Sequence, residues 1–108
     1  MREIIFVVKK IDYTSLENVS IRGSLTCEFH GDALRITNYN GYPTMFEDCQ
    51  REAYRFAQSN NFPYIIADSA TEYTGLDAGE ISWQLEQCGF YYINNGINQY
   101  YIRKVKLK

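Results

Sequence analysis

The sequence has little of what usually assigns a chain to a class at once. Its formal net charge is only −2 over 108 residues, so the field of the whole molecule does not favour nucleic acid. The longest apolar run near its start, residues 4–8 (IIFVV), is too short to span a membrane. No stretch has the pattern of a signal peptide. We therefore expect no membrane partner, and nucleic acid is a disfavoured one.

Residues that bind metals or form disulfides are also scarce. Cys27, Cys49 and Cys88 are an odd set without CxxC spacing, a pattern that supports neither a disulfide framework nor a zinc site. His30 is the only histidine, and we predict no metal site. A reducing, cytoplasmic setting fits these thiols best.

Two stretches have the pattern of amphipathic helices. Residues 44–47 and residues 77–80 each have the spacing of a capping box, and each is followed by apolar residues at helical spacing. We predict helices over residues 45–58 and 78–88. Six apolar side chains are expected to be buried together: Phe46, Ala53, Phe56, Ile66, Leu85 and Phe90.

The remaining apolar stretches predict strands. Residues 3–11 are β-branched and aromatic, residues 23–39 read as a hairpin, and residues 90–105 read as a second hairpin with an Asn-Gly turn. Residues 63–68 form a short continuous apolar run after a helix, which is typical of a buried parallel strand. We therefore predict one α/β (α+β) domain over residues 1–108, with the order β-β-β-α-β-α-β-β and a mixed sheet covered by helices on at least one face.

Three segments follow one another in an order that is known from a large enzyme family. They are residues 35–43 (RITNYNGYP), residues 46–70 (FEDCQREAYRFAQSNNFPYIIADSA) and residues 81–93 (ISWQLEQCGFYYI). The first resembles the strand and acyl-CoA loop of the GNAT superfamily of N-acetyltransferases, the second its long helix and next strand, and the third its last helix with a common Y-E-K-x-G-F ending. The resemblance implies a GNAT-like fold, acetyl-CoA as cofactor and transfer of an acetyl group to an amine.

The resemblance also implies where the cofactor binds. It places acetyl-CoA at the end of the 35–39 strand and in the loop after it. The residues concerned are Thr37, Asn38, Tyr39, Asn40 and Gly41. Asp68 and Ser69 join them because they follow the predicted parallel strand, and α/β sheets usually bind ligands at the carboxyl ends of such strands. A turn or a cap is the alternative role of this pair.

Two residues of the first hairpin are the candidate catalytic groups. Glu28 lies in mid-strand, in the region where the family places a base or a water-binding carboxylate, and such a base accepts a proton from the amine. His30 lies two residues away on the same polar face, so the two could form a proton relay. Solvent-facing strand residues are the alternative interpretation of both.

Departures from the family keep a different function open. The loop has one glycine, Gly41, where the family has several, and Pro43 has no N–H to offer a phosphate. Leu85 stands where the family often has a proton-donating Tyr, and residues 11–21 are too few for its two acceptor-site helices. The alternative is a non-catalytic module or inhibitor on a degenerate GNAT-like fold that binds a protein through its tyrosines and Trp83. A shortened sheet could also complete itself by forming a homodimer.

Overall fold

The structure is a computed structural model that describes residues 3–11 and 19–107. The described residues form six strands, two α-helices and one 3₁₀ turn. The strands are β1 (Glu3–Ile11), β2 (Val19–His30), β3 (Ala33–Gly41), β4 (Tyr64–Thr74), β5 (Tyr91–Asn94) and β6 (Gln99–Lys104). The helices are α1 (Phe46–Ser59) and α2 (Ala78–Gln87), and the 3₁₀ turn is Pro43–Met45. The predicted mixed α/β (α+β) class is confirmed.

One sheet contains all six strands in the order β1-β2-β3-β4-β6-β5. The β3–β4 pair is parallel, and the other neighbouring pairs are antiparallel. Residues 64–67 of β4 pair with β3 on one side and with β6 on the other, as expected for a strand inside a mixed sheet. Strand β1 covers the predicted residues 3–11, and β2 begins at Val19, before the predicted hairpin over residues 23–39. Residues 12–18 lie outside the described residues.

Helix α1 packs its apolar stripe against one face of the sheet. Its Phe46, Cys49, Ala53 and Ala57 are fully buried with side chains of β2, β3 and β4. Of the six residues expected in the core, Phe46, Ala53, Leu85 and Phe90 are buried and Phe56 is partly buried against the core. The expectation for Ile66 is wrong. Its neighbours Ile65 and Ala67 are buried, and because side chains alternate along a strand, Ile66 lies on the opposite face.

The two helices begin differently. Helix α2 has the predicted capping box: Asp77 Oδ1 accepts from the backbone N–H of Glu80 at 2.8 Å, and the Glu80 side chain accepts from the N–H of Asp77. The predicted box at residues 44–47 does not form, since the cap of α1 is Met45 and has no side-chain hydrogen bond. The physical reason is Pro43, which pre-sets the backbone for a 3₁₀ turn and so places Thr44 inside a helical turn.

Strand β4 contains a large bulge. Ile36 of β3 pairs with Ala67, but the next pair is Asn38 with Glu72, so residues 68–71 stand opposite the single residue Thr37. The Thr71 hydroxyl spans the bulge, donating to the carbonyl oxygen of Ile36 at 2.6 Å and accepting from the N–H of Asp68 at 3.1 Å. Strand β4 therefore continues through residues 72–74, beyond the strand that the sequence predicts over residues 63–68.

Strand β6 follows only the first part of β4. Its pairing begins at Tyr64 and ends where Tyr100 meets Asp68, before the bulge. Beyond Asp68, β4 pairs with β3 alone, and no described strand lies along its other edge. A gap therefore opens in the sheet at the point where β6 leaves β4.

Candidate functional site

Two cavities adjoin this gap. One has a volume of about 170 Å³ and includes Ile81 and Leu85 of α2 in its lining. The other, of about 330 Å³, includes Ile66 and Ile97. The two cavities share four lining residues, Asp68, Ser69, Gln99 and Tyr100. We call this pair of cavities, with its four shared residues, the bulge cleft.

Four tyrosines line the smaller cavity. The rings of Tyr92 and Tyr101 are 5.1 Å apart between centroids. The Tyr92 hydroxyl donates to Gln99 Oε1 at 3.1 Å, and the Tyr101 hydroxyl donates to Ser82 Oγ at 3.3 Å. Burial raises the pKa of Tyr73, which also lines this cavity, so its hydroxyl keeps its proton at neutral pH. The cavity thus offers apolar ring surfaces with hydrogen-bonding groups among them. The Tyr73 hydroxyl in its wall is uncharged.

An ion-pair network fixes Asp68 at the edge of the bulge. Arg35 Nε and Nη2 donate to the two oxygens of Asp68 at 2.8 and 2.9 Å, and Arg35 Nη1 donates to Glu28 Oε1 at 2.9 Å. The guanidinium holds the pKa of Asp68 below its usual range. Asp68 Oδ1 also accepts from the N–H of Ala70. Both carboxylate oxygens of Asp68 therefore accept hydrogen bonds, and the ion pair with Arg35 links β4 to β3.

The candidate catalytic residues are not assembled for proton transfer. Glu28 is part-buried and has its Oε1 engaged by Arg35. His30 is exposed at the end of β2, next to the turn to β3. In the described part of the chain these two side chains are not hydrogen-bonded to each other. The structure thus provides a salt-bridged carboxylate and a solvent-facing histidine, with no relay between them.

The candidate cofactor residues 37–41 belong to β3 and do not form a loop. Thr37 Oγ1 donates to the carbonyl oxygen of Thr26 at 3.2 Å. Tyr39 is fully buried, with its ring 5.0 Å from that of Phe46. Asn38 and Asn40 pair with Glu72 and Thr74 of β4. Of the predicted set, Asp68 and Ser69 line the bulge cleft, whereas Asn40 and Gly41 line a separate groove of about 590 Å³.

Three backbone donors of the segment that leads into α1 are engaged. The N–H of Tyr42 donates to the carbonyl oxygen of Arg22 at 3.0 Å, and that of Met45 donates to the carbonyl oxygen of Tyr42 at 3.0 Å. The N–H of Phe46 donates to the carbonyl oxygen of Pro43. A phosphate cradle needs such groups to point free at the ligand. These three are used inside the protein, so this segment is a closed turn that starts a helix.

Strands β3 and β4 stay in contact up to their carboxyl ends. Three ladder pairs join residues 38–40 to residues 72–74 beyond the bulge. At the end of this ladder, a Cβ on Gly75 would lie only 2.2 Å from the carbonyl oxygen of Gly41. The two backbones therefore leave no space between them, although Gly41 and Gly75 both line the groove of about 590 Å³.

Sequence reasoning missed three features of these sites. Arg22 lies beside the turn that starts α1, with its guanidinium carbon 5.4 Å from the Tyr42 ring centroid. Arg35 of β3 forms ion pairs with a carboxylate on each of the strands beside it, β2 and β4. The third feature is the bulge itself. A signal for Arg22 existed in the hairpin register, which places Gly23 opposite Gly41 and so brings residue 22 near the turn. The other two depend on contacts between distant parts of the chain.

Comparisons of the chain with protein-family models, with curated proteins and with solved structures gave no match. Within the described ranges, no group of three His, Cys, Asp or Glu side chains is placed to hold a metal ion. Neither described helix is long and apolar enough to cross a membrane. The case for a function therefore depends on the geometry of the bulge cleft and on the backbone contact between Gly41 and Gly75.

Proposed function

We propose that the chain is a non-catalytic binding module that takes an extended peptide segment of a partner protein in the bulge cleft. The observation that carries this proposal is the end of the β6 pairing at Asp68, while β4 continues through residues 72–74. In this proposal the chain keeps a shortened GNAT-like fold, with helices against the sheet, and has lost the transfer chemistry.

The edge of β4 supplies the first half of the binding mode. Beyond Asp68 its backbone groups that face away from β3 have no strand partner among the described residues. An extended peptide binds such an edge by main-chain hydrogen bonds, and pockets for its alternate side chains give the selectivity. The bulge widens the gap, and bulges commonly occur next to binding sites.

The tyrosines supply the second half. Tyr92 is about half exposed and Tyr100 partly exposed, and both line the cavity beside this edge. Tyr is enriched at binding hot spots because it combines a large apolar surface with a polar end. We therefore expect a partner segment with an aromatic or aliphatic side chain that enters the cavity of about 170 Å³.

The same structure offers little support for acyl transfer. The backbones of Gly41 and Gly75 are in contact at the carboxyl ends of β3 and β4, and Arg35 binds the carboxylates of both Glu28 and Asp68. A general base needs a lone pair within reach of the proton that it accepts. These contacts favour the binding module over the acetyltransferase.

Acetyl-CoA binding remains the second candidate, because Asp68 and Ser69 line the apolar bulge cleft. The two amides of a pantetheine arm would pair with the free edge of β4 as a peptide does. Calorimetric titration with acetyl-CoA tests this function directly. Binding with a Kd tighter than roughly 100 µM, about −5.5 kcal/mol, would support acetyl-CoA as the ligand if the Ser69→Trp variant loses it. The absence of detectable heat would refute this second candidate.

The peptide-binding proposal is tested with a displayed library of random 12-residue peptides. Selected peptides should bind the wild type and lose binding to Ser69→Trp, in which an indole fills the cleft from an exposed position. The control is Ser59→Trp, which adds the same side chain at an exposed site at the end of α1. Peptides that bind Ser69→Trp as well as the wild type would overturn the site.

Backbone methylation tests the binding mode. Synthetic versions of a selected peptide are N-methylated at one residue at a time, which removes one N–H donor in each. Strand addition uses the N–H groups of alternate residues, so methylation at every second position should weaken binding roughly tenfold or more. A uniform response along the peptide would show that no strand is added to β4.

A further inference from the structure

A second site is suggested by one side chain that lacks a partner. Gln50 of α1 is 1% exposed, and its Nε2 is the one buried side-chain nitrogen or oxygen without a hydrogen bond in the described part of the chain. Its orientation is fixed by Arg103, whose Nη1 donates to Gln50 Oε1. A guanidinium can only donate, so the amide cannot be turned round without losing this bond. A buried amide donor therefore lacks an acceptor.

The Gln50 side chain borders a cavity of about 130 Å³ between α1, the end of α2 and β6. Its charged lining groups are Arg51, Arg103 and Glu47. Glu47 forms an ion pair with Arg51 at 3.3 Å, and its side chain is 63% exposed. Arg103 is therefore the charged lining group whose charge Glu47 does not neutralise.

Arg103 is the second unusual group of this cavity. Its guanidinium lies 4.0 Å above the Tyr54 ring, and no carboxylate is within ion-pair distance of it among the described residues. Burial lowers its pKa, which reflects the cost of holding this charge away from water. The carboxyl end of α2 offsets part of that charge, but it offers nothing to the amide of Gln50.

The cysteine in the cavity wall does not supply the missing negative charge. Burial and the nearby Glu47 raise the pKa of the Cys88 thiol to about 11, so the thiol is protonated at neutral pH. Gln50 and Arg103, which carry an unpaired amide donor and an uncompensated guanidinium, thus line the same small cavity. Its volume corresponds to roughly four water molecules, which suits an anion of four or five heavy atoms.

We propose that this cavity binds a small oxyanion, a phosphate or a short carboxylate, through Gln50 Nε2 and the Arg103 guanidinium, with Arg51 at its entrance. An oxyanion accepts from several donors at once, and charge-assisted bonds of this kind are about twice as strong as neutral ones. The site is separate from the bulge cleft and does not depend on the function proposed there.

The first test is thermal unfolding in inorganic phosphate and in sodium chloride at matched ionic strength. An anion that binds only the folded state raises the midpoint as its concentration increases. We expect the wild type to respond to phosphate and not to chloride, and parallel titrations with sulfate and acetate show whether a tetrahedral or a planar anion fits. Equal midpoints in every salt would overturn the proposal.

The matched variants are Gln50→Glu and Gln58→Glu. The first places a carboxylate on Arg103 and removes the free amide donor, so phosphate binding should weaken at least roughly tenfold. The second makes the same change on α1 away from the cavity and should keep the wild-type response. Equal responses of the two variants would show that the anion binds elsewhere.

A measurement on the wild type covers the case in which Gln50→Glu does not fold. The side-chain amide signals of Gln50 and the Nε–H signal of Arg103 should shift during a phosphate titration in ¹H–¹⁵N NMR spectra. Signals that stay in place at saturating phosphate would mean that water alone fills the cavity, and would overturn the proposal.

Discussion

Replacing Gly75 by alanine adds one methyl group where the ends of β3 and β4 meet. The new Cβ would lie 2.2 Å from the carbonyl oxygen of Gly41 and 3.3 Å from its carbonyl carbon. Carbon and oxygen atoms of neighbouring strands normally stay about 3.3–3.6 Å apart, so the two backbones must separate by roughly 1 Å. Because both contacts are with backbone, no side-chain rotation relieves them. We expect the pairing of Asn40 with Thr74 to be lost.

The size of the effect follows from two contributions. Gly75 has a φ of +91°, which costs an L-residue about 1–2 kcal/mol. The broken ladder adds about 1 kcal/mol for each hydrogen bond lost, together with the steric contact itself. We therefore expect Gly75→Ala to lower the free energy of unfolding by about 3 kcal/mol or more, measured by urea denaturation with circular dichroism.

A matched control separates the contact from the conformation. Gly96 has nearly the same φ, +92°, but a Cβ there would have no atom within 4 Å. Gly96→Ala should therefore lose only the conformational term, about 1–2 kcal/mol, and the change in unfolded-state entropy is the same for both. If the two variants agree within about 0.5 kcal/mol, the backbones of Gly41 and Gly75 are not in contact as described.

Three further predictions follow from the contacts described above. The pKa of Asp68 is lowered in the folded protein. Its carboxylate therefore stabilises the fold at pH values above the unfolded-state pKa of about 3.9. This stabilisation is lost as the pH falls through the folded-state pKa. Between about pH 6 and pH 2.5, Asp68→Asn should lose less stability than the wild type in urea titrations; parallel curves for the two proteins would refute the assignment. Phe56→Ala should cost roughly 3–5 kcal/mol because its ring contacts three others, and a loss below about 1 kcal/mol would contradict this packing. All three cysteines are buried, so Ellman's reagent at about pH 8 should label none of them in the native protein and all of them in urea; rapid native labelling would count against the core.

The parts of the fold that were predicted are those with local causes. The capping box at Asp77 and Glu80 needs only neighbouring residues, and it forms as expected. The hairpin of β5 and β6 is also present, although its connection has four residues, 95–98, where a two-residue Asn-Gly turn was expected. The start of α1 was mispredicted because Pro43 imposes a 3₁₀ turn that the T-x-x-E spacing does not reveal.

The parts that were missed depend on contacts over long sequence distances. The strand beyond residues 68–71 exists because the Thr71 hydroxyl reaches the backbone of Ile36 on a neighbouring strand. The face of Ile66 could not be read from a continuous apolar run, which has no alternation to set it. For the candidate site, Asp68 and Ser69 were expected at the carboxyl end of a parallel strand, but β4 continues to Thr74 and the two residues line a cleft where β6 leaves it. The guanidinium of Arg35 was assigned to no site.

The short pairing between β4 and β6 has a consequence for how the protein opens. Only residues 64–68 join β6 to the remainder of the sheet, whereas β4 is paired with β3 on both sides of the bulge. Native-state opening proceeds in contiguous cooperative units that often coincide with hairpins. The β5–β6 hairpin is therefore the natural unit to detach first, and its amide protons should exchange with solvent ahead of those in β2, β3 and β4. A peptide bound in the bulge cleft would slow that exchange, so the hairpin would act as the hinged part of an otherwise fixed sheet.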